Sequence, residues 1–240
     1  KEEFRDALRL RYDMPLDGLP SYCVCGDRFT VNHAQICKRG GFVAQRHDGI
    51  RDLLTTLLNK VCKNVQAEPH LLPVENETFQ MRSANTSNEA RLAIKACSFW
   101  SRGVTAFFDA RVTHVNSSTN QNKSTEQIFL THENEKKRQY LQRILDIEHG
   151  HFTPLIFGTN GGMGRECGLF MKSLAEKLAS TQNEEYSIVI AWFLTRLSFE
   201  ILKSVHLSVR GSRVPFRKKD ESEMLSDFRL NVAAAEISAR

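Results

Sequence analysis

Three observations predict a mixed α/β protein, a sheet flanked by helices with a small metal-binding knuckle ahead of it. Cys23, Cys25, His33 and Cys37 fall within fifteen residues, close enough for one ion to gather them without help from the rest of the chain. Ile50, Leu53, Leu54, Leu57, Leu58 and Val61 recur at the spacing of one helical face. Further on, short apolar segments of strand character alternate with helical ones, the order of a sheet covered by helices.

Taken in order, residues 2–12 carry Phe4, Ala7, Leu8 and Tyr12 at helical spacing and predict a short helix. The knuckle occupies 23–37, and Gly40-Gly41 closes it, so 1–44 form a first unit. The amphipathic helix starts at Asp48. Residues 65–72 read as a strand, 73–89 as a polar loop, and 91–96 and 104–115 as two strands separated by a turn around Ser101-Arg102-Gly103. The Ser, Thr and Asn content of 116–127 predicts a flexible connection. Residues 133–148 are helical, with Tyr140, Leu141, Ile144, Leu145 and Ile147 as their apolar side. A short strand at 152–158, a helix at 165–180 and a long helix or helix pair at 184–208 complete a core over 45–210. Residues 211–240 begin with a basic run and lack sustained periodicity, which predicts a mobile tail.

With 41% hydrophobic residues in 240, the chain can bury a real core. The apolar stretch 186–195, bracketed by Glu184, Glu185 and Arg196, is far short of a bilayer span, so no membrane partner is expected. No secretory signal is read at the N-terminus, and three of the six cysteines cluster with a histidine, which favours metal over a disulfide framework. Thiolate and imidazole suit tetrahedral zinc, and Gly26 suits the tight turn after the second thiol; buried free cysteines are the alternative. The net charge is only +5. Between Arg28 and Lys63, however, seven Lys and Arg face two Asp, so the knuckle and its following helix present either a polyanion-binding face or a solvated one.

Within 104–115, Asp109 and Arg111 share one face of the strand by alternation, with Phe108, Ala110 and Val112 on the other. A carboxylate inside so apolar a run needs a positive partner, so Asp109 is either a metal ligand or half of an ion pair with Arg111. The preceding strand offers Arg91, Ala93 and Lys95 on one face, and Ala93 lies near Asp109 if the two strands are neighbours. Lys136 and Lys137 stand one turn before Tyr140 and Leu141, either extending the core-facing stripe or forming an ordinary charged helix start. Gly161-Gly162-Met163-Gly164 opens a helix as a phosphate cradle or as a tight turn.

The segments CVCGDRFTVNHAQICKRGGFVAQRHDGIRDLL, VQAEPHLLP, ARLAIKA, AFFDARV and HENEKKRQYLQRI, in that order, resemble the C-terminal part of non-LTR retrotransposon reverse transcriptase proteins with a restriction-enzyme-like endonuclease. The similarity is strongest to cnidarian retroelement-like proteins and runs from about Asp17 to Arg213. It implies a restriction-endonuclease-like core of PD-(D/E)xK type behind a zinc knuckle, nicking target DNA in the nucleus. A reverse transcriptase domain in a longer parent chain, and retroelement RNA, are implied partners.

By the same resemblance Cys23, Cys25, His33 and Cys37 bind zinc. Arg46 and His47 line the DNA-facing start of the core helix, and Arg39 and Arg51 belong to the basic face beside them. Glu68 is the outlying carboxylate, Asp109 binds Mg²⁺ or Mn²⁺, and a lysine displaced into the helix, Lys136 or Lys137, acts on the phosphate. The chain departs from the family pattern twice. Arg111 stands where D-x-K has lysine, and Ala93 stands where the pattern Arg-Leu-Asp has its first metal-binding carboxylate. The resemblance therefore implies an impaired nuclease, or a zinc-containing DNA-binding protein that has lost the chemistry.

Overall fold

The computed structural model describes residues 2–12, 14–74 and 90–213. Its N-terminal part holds α1 (Glu2–Arg11), the short α2 (Val31–Ile36) and α3 (Phe42–Leu58). β1 (Lys63–Ala67), β2 (Ile94–Cys97) and β3 (Thr105–Thr113) follow, then α4 (Thr125–Asp146), β4 (His151–Gly158), α5 (Arg165–Gln182) and α6 (Tyr186–Arg210). Most of the expected polar loop and nearly all of the expected tail lie outside the described residues.

The four strands form one mixed sheet in the order β1-β2-β3-β4. The first two pairs are antiparallel, and β3 and β4 are parallel. A parallel pair cannot be closed by a hairpin, so the chain between β3 and β4 must cross back over the sheet. α4 is that crossover. It seats Ile144, Tyr140 and Leu141 on Phe107, Phe152 and Leu92. On the opposite face α3 and α5 pack against Ile94, Ala96, Phe108, Ala110, Leu155 and Phe157, and α6 lies outside them. With both faces covered, β3 and β4 are buried over most of their length. Pro154 is tolerated because β4 is an edge strand. Fully buried Phe99, Phe108 and Phe170 stack at centroid distances of 4.8–5.3 Å. Each contributes about 1.5–3 kcal/mol by burial, more than any exposed ion pair in the molecule.

Several elements depart from the sequence-based reading. α3 begins at Phe42 and takes in Arg46. β1 ends at Ala67, because Glu68 turns into the left-handed region (φ 49°) and Pro69 has no N–H to extend the ladder. β2 begins only at Ile94: a bend at Ala93 breaks the alternation, so Leu92 joins the cluster under α4 while Ala93 joins the larger core. The expected flexible connection ends in helix, since Ser124 and Gln127 form a reciprocal capping box that starts α4 eight residues early. Residues 186–210 form one helix. Among the described residues, no helix is long and apolar enough to cross a membrane.

α1 forms where its periodicity places it, but the expected face is not the buried one. Phe4, Leu8 and Tyr12 are exposed, and Asp6 is buried instead. Arg210 Nε donates to Asp6 Oδ2 at 2.7 Å, and His206 Nε2 lies 3.6 Å from the same oxygen. The Arg210 hydrogen bond holds the Asp6 carboxyl below its ordinary range, against the opposing effect of burial. A depressed pKa contributes stability above the unfolded value and loses it as pH falls through the folded one. Asp6→Ala should therefore free α1, raising amide exchange over residues 2–11 by about tenfold or more while the sheet stays protected. Acidification through the same range should release α1 in the native protein and change nothing in the variant.

Candidate functional site

The knuckle is built from a tight turn and α2. Cys23 and Cys25 flank a turn in which Gly26 takes φ 98°, a conformation that side chains disfavour. The turn is closed by Gly26 N donating to Cys23 O and Cys23 N to Asp27 O. Thr30 caps α2 by accepting from His33 N, which brings His33 and Cys37 from that helix against the two thiols. The four ligand atoms lie within 4.8 Å of one another. Cys23 Sγ and Cys37 Sγ are 3.7 Å apart, and Cys25 Sγ is 3.3 Å from His33 Nε2. The edges of a zinc tetrahedron are about 3.8 Å between sulfurs and about 3.6 Å from sulfur to nitrogen. The four side chains could hold a zinc ion. His33 Nδ1 faces the Asp27 carboxylate at 3.7 Å, where an outer carboxylate orients a ligating imidazole.

The knuckle is attached to the core by an apolar cluster in which Phe29 and Ala34 meet Val209 of α6, and by polar groups. α2 is too short to satisfy its last carbonyls internally. Arg46 Nη2 donates to Gln35 O at 2.9 Å, and Arg213 Nη2 to Ala34 O at 3.0 Å. The Arg213 guanidinium lies against both Phe29 and Phe42, at 5.0 and 4.9 Å from their ring centres. His114, just past β3, joins Asn32 of α2 at 3.0 Å to Thr159 beyond β4 at 2.9 Å. Burial, with Arg46 nearby, pushes the His114 pKa down, which keeps this bridging imidazole neutral.

The second constellation lies between α4 and β3, which the crossover lays over each other. Lys136 Nζ is 2.6 Å from Asp109 Oδ2, and its ammonium sits over the Tyr140 ring. Beside it Arg111 donates to Glu135, the residue before Lys136, at 2.8 Å, and Glu135 also meets His132 one turn back, which reaches Thr113 Oγ1 at 3.3 Å. The Asp109–Arg111 pair, one of the two alternatives, does not form: each takes its partner from α4, which the crossover lays over this face. Lys137 pairs instead with Glu166 of α5 at 2.6 Å, so Lys136 alone of the two lies over Asp109.

Ala93 stands one residue beyond the register that pairs Ile94 with Phe108, but the bend there turns it to the core under α3 and α5, so it does not share the face of Asp109 and Lys136 as expected. Its methyl is 3% exposed and packs into the core. Glu68 is brought to the same place: its N–H donates to Ala93 O at 2.9 Å, while its carboxylate is taken by Arg51. Arg51 also meets Asp48 and Asp52, each at 2.8 Å.

The expected basic face is correspondingly reduced. Arg46 is 3% exposed, directed inward by its bond to α2, and so is not part of an outer face. Arg51 is held by three carboxylates, and His47 Nδ1 faces Asp48 at 3.3 Å. Arg39 remains exposed and, with Lys38, borders a recess beside Cys25, His33 and Cys37. The Gly-Gly-Met-Gly segment is a turn. The α5 N-terminus it opens is already occupied, with Glu133 Oε1 accepting from Glu166 N at 3.0 Å.

Sequence reasoning missed Glu133, Glu135 and His132, although Glu135 and Lys136 stand three and four residues after His132, and Tyr140 four after Lys136, along one helix face. Arg213, Asn32 and His114 carried no local signal. No protein-family model matches the chain, and no curated protein matches it.

Purified protein should carry one zinc per chain by elemental analysis. The double variant Cys23→Ser with Cys37→Ser should lose it, and residues 21–37 should then exchange their amides freely while the sheet and α3–α6 remain folded.

Proposed function

We propose that the chain is the DNA endonuclease module of a retrotransposon reverse transcriptase protein, with a restriction-endonuclease-like core and a structural zinc knuckle, in a copy whose chemistry is impaired at position 93. The observation that carries the reading is Lys136 Nζ at 2.6 Å from Asp109 on the central strand of the four-stranded mixed sheet. A lysine supplied by the helix offsets the arginine at position 111, and Glu68 approaches the same region from β1. The parent protein would work in the nucleus on target DNA, with a reverse transcriptase domain and its template RNA.

Such a nuclease uses Mg²⁺ or Mn²⁺, which asks for one or two carboxylates free to bind it. The residues present do not fit that ion. Asp109 is committed to Lys136, Glu68 to Arg51, and position 93 offers a methyl group. This mismatch favours a second reading, a zinc-containing DNA-binding protein that retains the fold and has lost hydrolysis. The knuckle donors, by contrast, do fit zinc. Lys38 and Arg39 at its rim supply cations for phosphate contacts.

Duplex DNA binding should weaken steeply with salt, and neutralising Lys38 and Arg39 together should flatten the slope of log affinity against log salt by about one to two units. An unchanged slope would move the DNA off the knuckle.

Ala93→Asp, whose new carboxylate must leave the core at the bend before β2 to reach the face of Asp109, should raise nicking of supercoiled plasmid in Mg²⁺ or Mn²⁺ on the order of a hundredfold. Adding Asp109→Ala or Lys136→Ala should abolish the gain, and Lys137→Ala should leave most of it. An Ala93→Asp protein that folds, keeps its zinc, binds DNA and still cuts nothing would establish the binding-protein reading instead.

A further inference from the structure

α6 is apolar on two sides. Its inner side, with Val189, Phe193, Leu197 and Ile201, closes the core. On its outer side Ile188, Trp192, Thr195, Phe199 and Leu202 follow one another at steps of four, three, four and three residues, which keeps them on one line down the helix. Ile188 is 57% exposed, Trp192 45% and Phe199 66%. A helix that is hydrophobic all round is ordinarily buried all round, so an open line of this kind marks a contact surface. Leu202 is half-buried, and His206 after it is taken by Asp6 of α1, so the free line runs from Ile188 to Phe199. The charges at its two ends are opposite. Glu184 and Glu185 stand before α6 and Lys203 beyond Phe199, all three exposed, and among the described residues none of the three has an ion-pair partner.

We propose that this line is the interface of a two-fold dimer, in which α6 of a second copy of the chain lies antiparallel on α6. The line is complementary to itself when reversed. Its midpoint falls between Phe193 and Leu194, and a two-fold axis there sets Ile188 against Phe199 of the second copy and Trp192 against Thr195, so the bulkiest side chain meets the smallest. The same axis sets Lys203 against Glu184 of the second copy at each end. Alternating steps of four and three are those that keep one helix in continuous contact with another crossing it at a shallow angle. Lys60 and Arg196, 5.8 and 5.7 Å from the Trp192 ring centre, border the apolar line as the polar rim of an interface does. A parallel copy would instead bring Lys203 onto Lys203 and Glu184 onto Glu184. A lipid surface or a nucleic acid calls for cations along the whole line and would meet two carboxylates at one end of this one.

Sedimentation equilibrium of the full chain should show reversible association to a dimer in the micromolar range. Phe199→Glu should weaken it by about a hundredfold or more, since one substitution places two carboxylates in the apolar line of each dimer. Lys203→Glu and Glu184→Lys should each weaken association by about tenfold, because every dimer then holds two like-charge contacts. Mixed in equal amounts, those two variants should recover it as a heterodimer in which both ends again join opposite charges, a result that misfolded variants could not give. A chain that stays monomeric throughout the micromolar range, a dimer that survives Phe199→Glu, or a mixture that shows no recovery would each overturn the inference. None of these readouts involves DNA or its cleavage.

Discussion

The parallel pairing of β3 with β4 is the constraint from which the arrangement follows. It obliges the intervening chain to return across the sheet, and the return is made by a helix long enough to run the length of β3. Helix and strand then meet along a line on which Thr113, Arg111 and Asp109 find His132, Glu135 and Lys136, and the line ends in the apolar contact of Tyr140 with Phe152. A buried carboxylate on a central strand is acceptable only because the crossover delivers an ammonium to it. The same crossover explains why β4, an edge strand by hydrogen bonding, is as buried as a central one.

The N-terminal module depends on different physics. Fewer than twenty residues cannot enclose a core, and the four converging donors suit a metal that would supply the missing interior. Attachment to the main core combines apolar packing of Phe29 and Ala34 on Val209 of α6 with directional polar contacts. Two arginines satisfy the carbonyls that a six-residue helix leaves open, one of them lying against two phenylalanine rings, and a neutral histidine spans from α2 to the ends of β3 and β4. Directional bonds of this kind orient the module as well as hold it. Knuckle and sheet are therefore held in register as a unit.

Most of the secondary structure was legible because periodicity reports burial directly. The α3 stripe from Ile50 to Leu58, the apolar run of β3 and the strand before the glycine-rich turn all form as read. The cluster was legible because four donors able to share one metal ion fall close together in a short segment. Failures came where tertiary partners overrode the local pattern. Asp6 is buried and Phe4 is not, because α6 offers Arg210 and His206. Arg46 counted as surface charge until α2 supplied a carbonyl. The choice between Lys136 and Lys137 depended on rotation of α4 over the sheet, which a charged doublet cannot reveal. The capping box at Ser124 was readable, but the surrounding Ser, Thr and Asn residues pointed to a loop.

The join between α4 and α5 also constrains what sequences this fold can explore. Gly164 occupies the N-cap of α5, a position where serine or aspartate would normally be favoured, and a side chain there would collide with the Glu133 carboxylate that already performs the capping. Burial raises the Glu133 pKa, so its charge is held at some cost. Positions 133 and 164 are therefore epistatic in sign. A capping side chain at 164 is harmful while Glu133 is present and beneficial once it is gone, and loss of Glu133 is harmful until 164 has changed. Each single change gives up the existing cap or forces the Glu133 carboxylate aside, and only the pair together exchanges one cap for the other.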